Sequence, residues 1–70
     1  GNGGMEEELI ERMALRGAIN DLEPKARKVI LLRYYRSLTQ EQTARVLGVS
    51  QVQVSRIEKR AVQQLRTLLA

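Results

Sequence analysis

Apolar side chains recur every three or four residues along most of this 70-residue chain, and no strand is read from the pattern. Four helical segments can be laid on that spacing, at about 5–20, 24–36, 40–47 and 51–69. The first sets Leu9, Met13, Ala14 and Ile19 near one face, with acids crowding its first turn, where the helix dipole favours negative charge. Asp21-Leu22-Glu23-Pro24 interrupts the pattern. Proline, with its φ already fixed and no N–H to satisfy, then opens the second helix at its first position. Val29, Ile30, Leu32 and Tyr34 are the inward candidates of this helix, while Lys25, Arg27, Lys28 and Arg36 look outward. After a short connection at Ser37-Leu38, a third helix leads to the fourth, whose stripe of Val54, Ile57, Ala61, Leu65 and Leu68 keeps helical spacing throughout. The pattern predicts an all-α fold, a small four-helix domain over residues 5–70. Gly1-Asn2-Gly3-Gly4 reads as a vector remnant or linker.

The join between the third and fourth helices is the most heavily punctuated part of the chain. Thr39-x-x-Gln42 and Ser50-x-x-Gln53 both have the form of a capping box, in which the two side chains and the two backbone N–H groups satisfy one another. Gly48 stands where the third helix must stop in a left-handed conformation that glycine enters without steric cost. Ala44 is small enough to let two helices cross, and Val54 and Ile57 lie on one face of the second of them. Residues 39–60 therefore read as a helix-turn-helix.

Composition narrows the field. A chain this short buries only about 60% of its unfolded surface, so its core must be compact. With no cysteine and no histidine, disulfides and the usual zinc sites are excluded. There is no nucleophile–base pair built on those residues and no glycine-rich phosphate loop, so neither an enzyme nor a cofactor is expected. No apolar run approaches membrane-spanning length and nothing resembles a signal peptide, which leads to the expectation of a soluble cytoplasmic protein with no membrane partner. Charge is unevenly spread within the net +4: residues 1–23 carry six acids against Arg12 and Arg16, and residues 24–70 carry ten Lys or Arg against Glu41 and Glu58. A basic body suits a polyanion, although a solvated lysine- and arginine-rich surface would look the same.

The helix-turn-helix decides in favour of DNA. The major groove admits an α-helix, and residues early on that helix reach base edges. On the fourth helix the exposed early positions are Gln51, Val52, Ser55 and Arg56. Gln51 can pair with adenine, Arg56 with guanine and Val52 with a thymine methyl, while Ser55 is small enough for a deep seat. Lys59 and Arg60 fall a turn later, where they meet phosphates. Arg45 and the capped helix start at Thr39 and Gln40 can do the same. A plainer reading stands beside each: Arg56 and Arg60 pairing only with Glu58 or water, Val52 a stray exposed aliphatic, Gln51 and Gln53 merely helix-forming and capping. Tyr34 and Tyr35 suit core and rim better than base stacking, since neighbours on a helix point about 100° apart.

The string LEPKARKVILLRYYRSLTQEQTARVLGVSQVQVSRIEKRAVQQLR resembles conserved region 4 of bacterial sigma-70-type transcription initiation factors. The resemblance runs through Leu22, Val29, Leu32, Arg33, Tyr34, Thr39, Gln42, Ala44, Leu47, Gly48, Val49 and Ser50, and covers about residues 9–69. Ser50–Lys59 is similar to the alternative sporulation and general-stress branch. It implies a module of RNA polymerase that recognises the −35 promoter element in double-stranded DNA, with Gln51, Val52, Ser55 and Arg56 at base-reading positions and Lys59 and Arg60 at backbone or edge positions. Housekeeping members carry Arg-Glu where Gln51-Val52 stand here, so their consensus −35 sequence does not transfer. The family also implies docking of the RNA polymerase core through its β-flap, or of an anti-sigma protein, on an apolar surface ahead of the motif. Leu31, Leu32, Tyr35 and Leu38 are the candidates for that surface. Nothing in the chain serves −10 recognition or promoter melting, so it looks like a C-terminal domain cut from a longer protein.

Two alternatives stay open. A stand-alone or response-regulator helix-turn-helix domain would bind paired half-sites as a dimer. A helical interaction module held by an inhibitor would not need the exposed basic residues at all.

Overall fold

A computed structural model describes residues 13–69, and every regular element among them is helical. Helix α1 covers 13–20, α2 runs Pro24–Ile30 and continues into a π-helical turn at Leu31–Tyr35, α3 is Gln40–Leu47, and α4 is Gln51–Leu69. Leu9, the acidic first turn and residues Gly1–Gly4 lie outside the described residues.

Two apolar clusters hold the helices together. Ala18, Ile19 and Leu22 pack with Ala26 and Ile30 of α2 and with Ala61 and Leu65 on the second half of α4. Val29, Ala44 and Val54 form the other, joining α2 and α3 to the first half of α4. Ile57 packs against both. Val29 and Val54 are wholly buried, and burial of a side chain that size is worth about 1.5–3 kcal/mol. The second cluster is what presses the two helices of the turn together. Thr43 of α3 also has no exposed surface, and its Oγ1 has no hydrogen-bond partner among the described residues.

Three parts of the expected pattern are corrected. Met13 and Ala14 are exposed; Ile19 is buried as expected, joined by Ala18 and by Leu22 in the break after the helix, with Leu15 half-buried against them. Tyr34 is 58% exposed rather than inward, and Leu32 is only half-buried. The cause is the π turn. The Arg36 N–H bonds back to the Leu31 carbonyl, so each turn holds more residues than an α-helix would and Tyr34 is carried off the line of Ala26, Val29 and Ile30. Leu68 is 46% exposed, and Leu65 is the last buried residue of α4. The outward residues of α2 stand as expected, except that Arg27 is half-buried and donates to the Leu22 carbonyl.

Candidate nucleic-acid interface

Both capping boxes form. The Gln42 N–H donates to Thr39 Oγ1 at 3.0 Å while the Thr39 N–H donates to Gln42 Oε1 at 2.9 Å, and the corresponding pair at Ser50 and Gln53 spans 3.1 and 3.3 Å. Between them Gly48 adopts φ 70°, ψ 31°, the left-handed conformation expected of it, and the Val49 N–H closes the end of α3 on the Ala44 carbonyl at 3.0 Å. Each helix of the turn thus begins and α3 ends on a satisfied backbone, which fixes where the exposed face of α4 starts.

That face carries Gln51, Val52, Ser55, Arg56, Lys59 and Arg60, all exposed. Val52 is 60% exposed, although it is aliphatic. Of the plainer reading of Arg56 and Arg60, the Glu58 half does not hold, because Glu58 turns inward and pairs with Arg33 of the π turn, and the half in which they meet water stands. Arg56, Lys59 and Arg60 make no ion pair with one another's neighbours among the described residues, so their charges face solvent. On α3, Arg45 pairs with Glu41 at 3.0 Å, but both are well exposed and such a pair is worth about 0.3–0.5 kcal/mol, little resistance to exchange for a phosphate. Thr39 uses its hydroxyl on its own cap, which leaves the unbonded N–H groups of the first turn of α3 as the donors there. Gln40 is half-buried, its Nε2 reaching Glu58 at 3.5 Å.

One residue of this surface was not singled out from sequence. Lys25, in the first turn of α2, joins Gln53, Arg56 and Arg60 around a hollow of about 270 Å³ floored by Val49 and Ile57. Its outward direction on α2 was legible; its approach to α4 depends on how the helices cross.

The apolar candidates divide. Leu31 and Tyr35 are exposed, while Leu32 and Leu38 are half-buried. An apolar groove of about 710 Å³ is lined by Leu15, Ile19, Ile30, Tyr34, Tyr35, Val62 and Leu65, with Arg16 at its edge. Leu31 and Tyr35 also border an adjoining hollow between Arg16 and Arg36. Among the described residues no cluster of carboxylates could hold a metal ion, and no helix is long and apolar enough to cross a membrane.

Comparison with known proteins agrees with this architecture. Residues 18–67 match the family described as sigma-70, region 4. The chain is 46% identical over 61 residues to the RNA polymerase sigma-F factor of Bacillus subtilis, a match that covers 87% of this chain and 24% of that protein. It is 36% identical over 56 residues to the sigma-G factor of the same organism, and 32% identical over 63 residues to its sigma-B factor, covering 80% and 90% of this chain and 22% and 24% of those proteins. The chain therefore spans about a quarter of the length of these curated relatives. No solved structure matches it significantly. With its two capped helices, left-handed glycine turn and match over residues 18–67, the chain belongs to the sigma-70 region 4 family.

Proposed function

We propose that this domain recognises the −35 element of promoters for an RNA polymerase sigma factor, with the first half of α4 in the major groove. The observation that carries the reading is the unbroken exposed face of Gln51, Val52, Ser55, Arg56, Lys59 and Arg60, none of it spent on internal ion pairs among the described residues. Gln51, Val52, Ser55 and Arg56 read bases. Lys59 and Arg60, with Arg45 and the start of α3 at Thr39 and Gln40, hold phosphates, and Lys25 extends that basic surface. Each phosphate contact contributes about 0.9 to the slope of log affinity against log salt, so three to five of them make unaided binding weak and steeply salt-dependent. A binding role, in a cytoplasmic transcription complex, is proposed in place of any catalytic one.

The second half of the proposal is docking on the polymerase β-flap. The groove beside Tyr34 and Tyr35 is apolar and open, whereas Leu32 and Leu38 are too far inside to form most of the contact. An anti-sigma protein would compete for the same groove.

Selection of binding sites from a duplex pool tests the DNA half. A short asymmetric site of a few base pairs supports the sigma reading, and a palindrome of paired half-sites supports the stand-alone domain. No enrichment at all would favour the interaction module.

A further inference from the structure

Glu58 lies between Arg56 and Lys59 in sequence, yet it faces away from their exposed surface. Its side chain is 15% exposed; it accepts from Arg33 Nε and, more distantly, from Gln40 Nε2 at 3.5 Å. Arg33 also donates through Nη1 to the Leu38 carbonyl at 2.7 Å, and its guanidinium carbon lies 5.9 Å from the centre of the Tyr34 ring. The hydrogen bond to Glu58 raises the guanidinium above its ordinary pKa, outweighing the opposing effect of burial. One side chain thus ties together the π turn, the connection into α3 and α4, and Gln40 ties the first residue of α3 to the same carboxylate.

The Val29–Ala44–Val54 cluster sets how closely α4 approaches α2 and α3. Burial of Val54, Ala61 and Leu65 selects the face that α4 turns inward, but apolar contact is non-directional and tolerates small rotations of the helix about its own axis. A planar guanidinium on a carboxylate is directional. On a helix about 10–12 Å across, a rotation of about 20° carries a side-chain tip through roughly 2 Å, enough to break a base-edge hydrogen bond. Partly buried ion pairs add little stability over apolar replacements, but they can specify one arrangement.

We propose that Arg33 and Glu58 are positioning residues for DNA reading: they fix the rotation of α4, and so its base discrimination, without touching DNA. The inference rests on the DNA-reading role of α4.

The test measures, for the 70-residue chain, the affinity ratio between its selected duplex and a composition-matched scramble at fixed salt. Variants are Arg33→Lys, Glu58→Gln and the reversed pair Arg33→Glu with Glu58→Arg. Residual dipolar couplings report the orientation of α4 against α3. Arg33→Lys and Glu58→Gln should lower the ratio about tenfold, the size of one lost bidentate contact, while affinity for the scramble is unchanged or raised. The reversed pair should recover part of the ratio. A ratio within twofold of the original, or one that falls only with the folded fraction, overturns the inference. Should Glu58→Gln fail to fold, Arg33→Lys, which keeps the charge and loses the fork, decides alone. If the original chain discriminates no sequence, the DNA-reading role fails and the couplings decide the positioning role: a rotated α4 in the variants upholds it, an unmoved one overturns it.

Discussion

Replacing Gly48 by alanine isolates the conformational demand of the turn from its packing. Gly48 has φ 70°, and a Cβ built there meets nothing within 4 Å, so the substitution introduces no clash. What remains is the left-handed backbone itself, which costs an L-residue about 1–2 kcal/mol. Alanine also narrows the unfolded ensemble, an offset of about 0.4–1 kcal/mol. The net expectation is a destabilisation of about 1 kcal/mol, or roughly 4–8 °C in Tm for a domain this size. Gly48→Asn should lose less, since asparagine enters the left-handed region more readily. Urea denaturation followed by helical circular dichroism measures both, and the slope with denaturant should not change, because the same surface is exposed on unfolding. Unchanged stability in Gly48→Ala would refute the claim that the turn requires a left-handed residue. A loss above about 3 kcal/mol would show that steric contact, absent here, governs the site.

Other substitutions separate the remaining parts of the account. Thr43→Val keeps the shape of a fully buried side chain and removes a hydroxyl that has no partner among the described residues, so it should raise stability by about 1 kcal/mol in the same urea assay. Ser50→Ala removes the cap of α4 and should cost about 1 kcal/mol, whereas exposed Val46→Ala should change stability by under about 0.5 kcal/mol. Arg56→Ala should relax preference at one base pair, while Lys59→Ala should weaken all duplexes alike and flatten the salt slope by about 0.9; equal losses on every sequence for both would sink that division of labour. Tyr34→Ala, at an exposed position, should leave DNA affinity within about twofold and weaken binding of an isolated β-flap helix, read by fluorescence anisotropy.

Local chemistry carried most of what was legible before the structure. Pro24 acts through its fixed φ, Gly48 through its left-handed backbone, and Thr39 and Ser50 through bonds to their own neighbours, and the helix starts at Pro24, Gln40 and Gln51 fall where those residues place them. The exposed face of α4 was legible for the same reason: its stripe from Val54 to Leu65 is regular, and the opposite side follows by geometry. The π turn was not. It accompanies Arg33 reaching a partner 25 residues away, and no periodicity within α2 announces such a contact. An uninterrupted α-helix would turn Tyr34 inward, and the π turn carries it out. Leu22 carries the family resemblance, but its turn-forming neighbours hide it from the hydrophobic periodicity, although it is among the most buried residues. Lys25 belongs with Arg56 and Arg60 only through the crossing of two helices, information that lies in neither helix alone.

The most direct test of the central claim is a chemical-shift titration of the labelled chain with a duplex pool randomised over about six base pairs, a span set by the few contacts one recognition helix can make. Shifts led by Gln51, Ser55 and Arg56, with smaller ones at Lys59, Arg60 and Lys25, are the predicted result. Shifts confined to the Tyr34–Tyr35 groove, or none at low salt, would contradict a DNA-reading face on α4.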